Sequence, residues 1–226
     1  MNHPQRRLLI SVGMEHYRWR SNREQFEAQQ ALHQLLPAAA GTVGLDRSTW
    51  TSQRSGDGEL TALPVGTQEP TVIGRFVPEL DRLLREHNSS RLPTARVRLR
   101  VALHQGPVYP DGEDGFPGEA VTYVSRLCDT RPVKEALAAS PEVAVALVVS
   151  ADLYRHAVTE YPEQLRPERF RQFEVPHRDT DAGESAWLCV IGEDFTTPAV
   201  GVDRKHRPAR ATPAVRTSGT AESRSD

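Results

Sequence analysis

The sequence lacks a long hydrophobic run. No stretch approaches the ~18 apolar residues that a spanning helix needs, so no membrane partner is expected. The basic start, Met1 to Arg7, leads only into the short apolar run Leu8 to Gly13, too little for a secretory leader. Cysteine is scarce. Cys128 and Cys189 are the two present, in no metal or redox spacing, which argues against a zinc ribbon or a dithiol centre. Each sits among apolar residues and reads as a buried thiol. A surplus of one charge is also missing. The net charge is −2, so no global field draws nucleic acid and no specific nucleic-acid partner is expected. There is no Gly-x-Gly-x-x-Gly, no Walker lysine, no Gly-x-Ser-x-Gly elbow at Ser150 and no internal repeat. These absences together describe a cytoplasmic protein without a dinucleotide or P-loop fingerprint.

What is present suits one domain and a tail. The chain has 226 residues, 38% hydrophobic and 26% charged, a modest core for a soluble domain. The domain is expected over 1–192. From 193 to 226 the character changes: Pro198, Pro208 and Pro213 alternate with Arg204, Lys205, Arg207, Arg210 and Arg216. Aromatics stop at Phe195. Such a segment buries too little to offset the entropy of ordering it, so disorder is predicted. A weak tether for an anionic partner is the alternative.

The most informative stretch is Arg54-Ser55-Gly56-Asp57-Gly58-Glu59-Leu60. Asp57 lies between two glycines, with β-formers on both sides, which predicts a hairpin with this carboxylate at its tip. Turn chemistry alone accounts for Asp and Gly there. A meeting with a cation or a phosphate is the sharper reading. Around it, Leu8 to Val12 reads as a buried strand. A helix capped at Ser21 or Asn22 carries Phe26, Leu32, Leu35 and Leu36 inward and is closed by Pro37 and Gly41. Another helix spans about Thr71 to His87, kinked or started near Pro78.

Ala95 to His104 alternates with a period of two. Val97, Leu99, Val101 and Leu103 face one side; Arg96, Arg98, Arg100 and His104 face the other. The arginines read as a solvated face or an interface rim, with phosphate binding as the alternative. His104 reads as a structural strand-end residue, since no ligand partner accompanies it. The Gly106 to Gly118 loop enters a helix from Pro117 to Leu127. Further elements are a helix at Arg131 to Ala139, a strand at Val143 to Val149, a helix capped by Ser150, and strands at Phe170 to Val175 and Ala186 to Ile191. Trp50 reads as packing. Trp19, between Arg18 and Arg20, is left open between stacking on a ligand and meeting a partner. The pattern is α/β (α+β) with a mixed sheet.

Three segments together resemble the class III nucleotide cyclase homology domain. Gln53 to Leu60 is similar to that family's Lys-x-x-Gly-Asp-Gly hairpin. Leu99 to Gly106 is similar to its Val-x-Ile-His-x-Gly strand. Gly118 to Leu127 is similar to its Gly-x-x-Val-Asn-x-x-x-Arg-Leu helix. The texture, including Gly44 to Trp50, resembles an actinobacterial cyclase-like group. The resemblance covers about residues 7 to 191. It implies a ferredoxin-like mixed or antiparallel sheet flanked by helices, and a homodimer or a heterodimer with a related domain. It also implies a nucleoside triphosphate with Mg2+ or Mn2+, held by converging carboxylates.

Carried over residue by residue, the resemblance makes Asp57 a metal ligand and Arg126 the arginine that stabilises phosphate charge. The chain departs elsewhere. The first-strand aspartate register holds Ser11 or Gly13, the asparagine position holds Thr122, and the base-reading lysine position holds Gln53. The base-reading carboxylate falls near Gly115, with Asp114 one place away. Glu15 shares a face with positions 11 and 13 if the strand continues, so it is a substitute metal ligand. The expectation is a cyclase-homology module with impaired catalysis, acting in nucleotide binding or regulatory dimerisation. A divergent active cyclase working through Asp57 and Arg126, and a structural interaction domain, are the alternatives.

Overall fold

The computed structural model describes residues 3–109, 115, 117–175 and 183–192. Seven strands form one sheet: β1 (Gln5–Met14), β2 (Thr51–Ser55), β3 (Gly58–Ala62), β4 (Leu99–Val108), β5 (Val145–Ser150), β6 (Arg171–Val175) and β7 (Glu184–Val190). Their order is β2-β3-β1-β4-β5-β7-β6. Only the β4–β5 pair is parallel; β1 pairs antiparallel with β3 and with β4. The predicted α/β class with a mixed, mostly antiparallel sheet holds.

Alternation along β1 explains the layering. Leu8, Ile10, Val12 and Met14 enter one core with α1 (Asn22–Thr42) and α3 (Val77–Asn88). Leu9 enters a second core on the opposite face, with α4 (Glu119–Cys128) and α5 (Arg131–Ala139). Period two thus gives a sheet covered by helices on both sides.

The helix boundaries differ from expectation in informative ways. Ser21 caps α1 in a reciprocal box with Glu24, as its position predicts. The helix does not stop at Pro37 but runs to Thr42. Pro37 forfeits one backbone bond, yet Ala39 and Ala40 beyond it are fully buried, and that packing carries the helix on. Phe26 is 59% exposed, against expectation, while Leu32, Leu35 and Leu36 pack inward as predicted, joined by Ala28 and Ala31. Before α3, a short α2 (Glu69–Thr71) passes into one wide π-type turn, Val72–Phe76. The widened turn relieves the clash that the Pro78 ring would make with the Gly74 carbonyl, which answers the predicted kink.

β4 starts later than predicted and continues through Pro107 to Val108. α5 has the predicted bounds. Beyond β5 lie α6 (Ala151–Leu153), a π-type turn at Tyr154–Val158 and α7 (Pro162–Leu165). Both cysteines are buried, and burial pushes each thiol up to about 11, which makes them inert. Trp50 packs edge-on against Phe76. No helix among the described residues is long and apolar enough to cross a membrane. The tail predicted at 193–226 lies outside the described residues.

Candidate functional site

The hairpin tip is a two-residue turn, Gly56-Asp57, closed by the Ser55–Gly58 pair. Gly58 therefore opens β3 rather than sitting in the turn. It lies opposite Gly13 of β1, and a Cβ there would fall 1.9 Å from the Val12 carbonyl oxygen. Only glycine allows this approach. It lets the Asp57 carbonyl accept from Met14 N–H at 2.7 Å, which ties the tip to the end of β1. A second tie comes from α1: Gln29 Nε2 donates to the Gly56 carbonyl and to Tyr17 Oη, each at 2.8 Å. The Asp57 side chain is half-buried and accepts from Ser55 Oγ at 3.2 Å.

Two cavities open on Asp57. One is lined by Ser11, Gln53, Asp57, Arg100 and Asp129. The other, of about 480 Å³, is lined by Glu15, Trp19, Asp57, Arg100 and Lys134, among others. Ser11 is buried and offers a hydroxyl where the resemblance implied a carboxylate. Glu15 lies past the last residue of β1, and its Oε2 accepts from Arg98 Nη1 at 2.9 Å. Gln53 lies against Gly115, where a Cβ would meet its Oε1 at 2.7 Å. The two positions implied for base reading are thus adjacent. Gly115 has φ +119°, a conformation that favours glycine. Asp114 lies outside the described residues.

Arg98, just before β4, and Arg100, within it, are not a solvated face. Arg100 is 9% exposed. It pairs across from Gly13, and its guanidinium covers that glycine. It donates to the Cys128 and Met14 carbonyls at 3.1 and 3.3 Å and reaches Asp129 at 3.5 Å. Arg98, also largely shielded, donates to the Leu137, Ser140 and Val143 carbonyls. Backbone carbonyls at the ends of α4 and α5 draw these cations inward. The alternation was read correctly, but its polar face meets helix ends rather than water. Arg100 brings a fixed positive charge to Asp57's cavities, chemistry that suits an anionic ligand. Lys134, 2.6 Å from Asp129, adds a second.

The α4 positions line a different cavity. Thr122 and Arg126, one turn apart, face a space of about 450 Å³ with His104, Tyr123 and Glu184. Arg126 reaches Glu184 at 3.7 Å and lies over the Tyr123 ring at 5.3 Å. Among the described residues its buried Nε has no hydrogen-bond partner. His104 shares a hydrogen bond with Ser150 Oγ at 3.0 Å, and burial lowers its pKa to about 4. It is neutral at pH 7 and structural, as its lack of ligand partners suggested. Ser150 also caps Leu153 N–H, the role read from sequence. Neither cavity on Asp57 includes Thr122 or Arg126. Among the described residues, no three His, Cys, Asp or Glu side chains gather as a ligand set.

No family model and no curated protein sequence matches the chain. Solved structures do match. An adenylate/guanylate cyclase/hydrolase from Silicibacter pomeroyi superposes with TM-score 0.57 at 15% identity, over 84% of this chain and 99% of that one. A guanylate cyclase domain from Catenaria anguillulae, solved with GTP, gives 0.53 at 11% identity, over 84% and 99%. A non-canonical dimeric guanylyl cyclase domain from Blastocladiella emersonii gives 0.51 at 13% identity, over 84% and 98%. The chain has the fold of adenylate and guanylate cyclase domains.

Proposed function

We propose that this chain is a cyclase-homology module that binds a nucleoside triphosphate and pairs with a second domain of its kind, without efficient cyclisation. One observation carries the reading. A two-metal site needs two carboxylates, and at Asp57's cavities, beside a Ser11 hydroxyl, the other acids are each engaged by a cation: Glu59 by Arg47, Glu15 by Arg98, Asp129 by Arg100 and Lys134, and Glu135 by Arg131. That donor set does not fit two divalent ions. A single Mg2+ or Mn2+ carried by the phosphates would meet Asp57, while Arg100 and Lys134 balance phosphate charge. Pairing is supported by geometry within one chain: Asp57 and Arg126 line separate cavities, so a site using both forms between two chains.

Calorimetric titration with ATP and GTP, with Mg2+ present, tests the reading alongside a cyclic-product assay. Binding without product is expected. Product formation would select a divergent cyclase, and absence of both would select a structural interaction domain.

A further inference from the structure

Trp19 is 82% exposed, an unusual fate for the largest side chain, which normally serves a core or an interface. Its position is nonetheless fixed. The indole lies flat on the His16 ring, with centroids 4.7 Å apart and planes 15° from parallel. His16 adopts φ 54°, left-handed backbone that a non-glycine residue adopts only where its surroundings demand it. Arg20, just beyond, donates to the Thr94 and Arg96 carbonyls, so the turn Tyr17–Trp19 is clamped to the loop before β4. The result is a preset aromatic plate with one face covered and one open.

The plate forms a wall of the 480 Å³ cavity on Asp57, a volume in the range of small-ligand sites. Leu137 supplies an apolar wall, and Arg18, Arg100 and Lys134 supply cations. The acids nearby are mostly spent: Glu15 on Arg98, Glu135 on Arg131, and Asp129 on Lys134 and Arg100. Asp57 is the exception. An open aromatic face in a cavity that Arg18, Arg100 and Lys134 also line suits a ligand that is planar at one end and anionic at the other.

We propose that Trp19 is the stacking platform for the base of a nucleoside phosphate bound in the Asp57 cavity, with its phosphates toward Arg100 and Lys134. The proposal rests on the nucleotide-binding reading above and assigns the base end of that ligand. Trp19 would then take over the base contact from Gln53, whose amide offers a base no charge.

The experiment compares ATP with inorganic tripolyphosphate, by calorimetry on the full chain at fixed Mg2+. Stacking predicts that ATP binds about tenfold more tightly than tripolyphosphate. Trp19→Ala should weaken ATP about tenfold and leave tripolyphosphate unchanged, while Trp19→Phe keeps most of the difference. Lys134→Gln should weaken both ligands together. Because Trp19 is exposed, its removal leaves the fold intact. Equal binding of the two ligands by the wild type, wild-type ATP affinity in Trp19→Ala, or no ATP binding at all would overturn the proposal. A Trp19→Ala chain that changes only its sedimentation would reassign the residue to a contact between copies, and that too overturns it. Cyclic product in the same samples would overturn the non-turnover reading and leave the stacking result standing.

Discussion

Arg98 and Glu15 face each other at 2.9 Å with little solvent around either. Removing one member of such a pair strands the other, at a cost of about 3–5 kcal/mol. Arg98→Met should therefore lower unfolding stability in urea by about 3 kcal/mol, and adding Glu15→Gln should recover part of it. A loss within 0.5 kcal/mol would mean that water reaches the pair. His104 gives a pH signature. Its folded pKa of about 4 lies below the ordinary value of 6.5, so the neutral ring favours folding above about pH 6.5. That contribution is lost as pH falls toward 4. After allowance for solvent screening, it amounts to about 1–2 kcal/mol. Urea unfolding at pH 7 and pH 4.5 should show a steeper loss for wild type than for His104→Gln; parallel losses would contradict the assignment. At this scale the sequence was partly legible. Turn chemistry placed Asp57, and the missing ligand partners identified His104 as structural. The burial of Arg98 and Arg100 was not visible, because the carbonyls that receive them come from α4, α5 and β1, remote in the chain.

At the scale of elements, period two located the strands and separated their faces, and the Ser21–Glu24 pair located the start of α1. The end of α1 was hidden because local rules stop a helix at Pro37, whereas tertiary burial of Ala39 and Ala40 extends it. The junction of β1 with the hairpin is the element contact that places Asp57, and it depends on Gly58. Gly58→Ala puts a methyl group against the Val12 carbonyl, and neither backbone can yield without breaking the β1–β3 ladder. Destabilisation of about 3 kcal/mol or more is expected in urea. A near-neutral result would show that the hairpin can lift from β1 freely.

At the scale of the whole molecule, Asp57 and Arg126 line separate cavities, so any site that uses both is split into two halves. If the half carrying Asp57 meets the half carrying Arg126 of another copy, the contact repeats about a two-fold axis. Sedimentation at micromolar concentration should then show a dimer, and a monomer unaltered by ATP and Mg2+ would remove the pairing. The Pro- and Arg-rich sequence at 193–226 offers little apolar area, so deleting it should move the melting midpoint by less than about 4 °C. The fold was legible as a whole because three short segments stand in order along one alternating pattern. The state of the site was less so, since Gln53 and Gly115 meet only through the sheet, and Asp57 and Arg126 do not meet within one chain. The module proposed above has a cyclase fold and should not turn over its nucleotide. Cyclic-nucleotide formation by the purified full chain, with ATP or GTP and Mn2+, tests it most directly. Product at background, equal in wild type and Asp57→Ala, is expected. Metal-dependent product in the wild type that disappears in Asp57→Ala would contradict it.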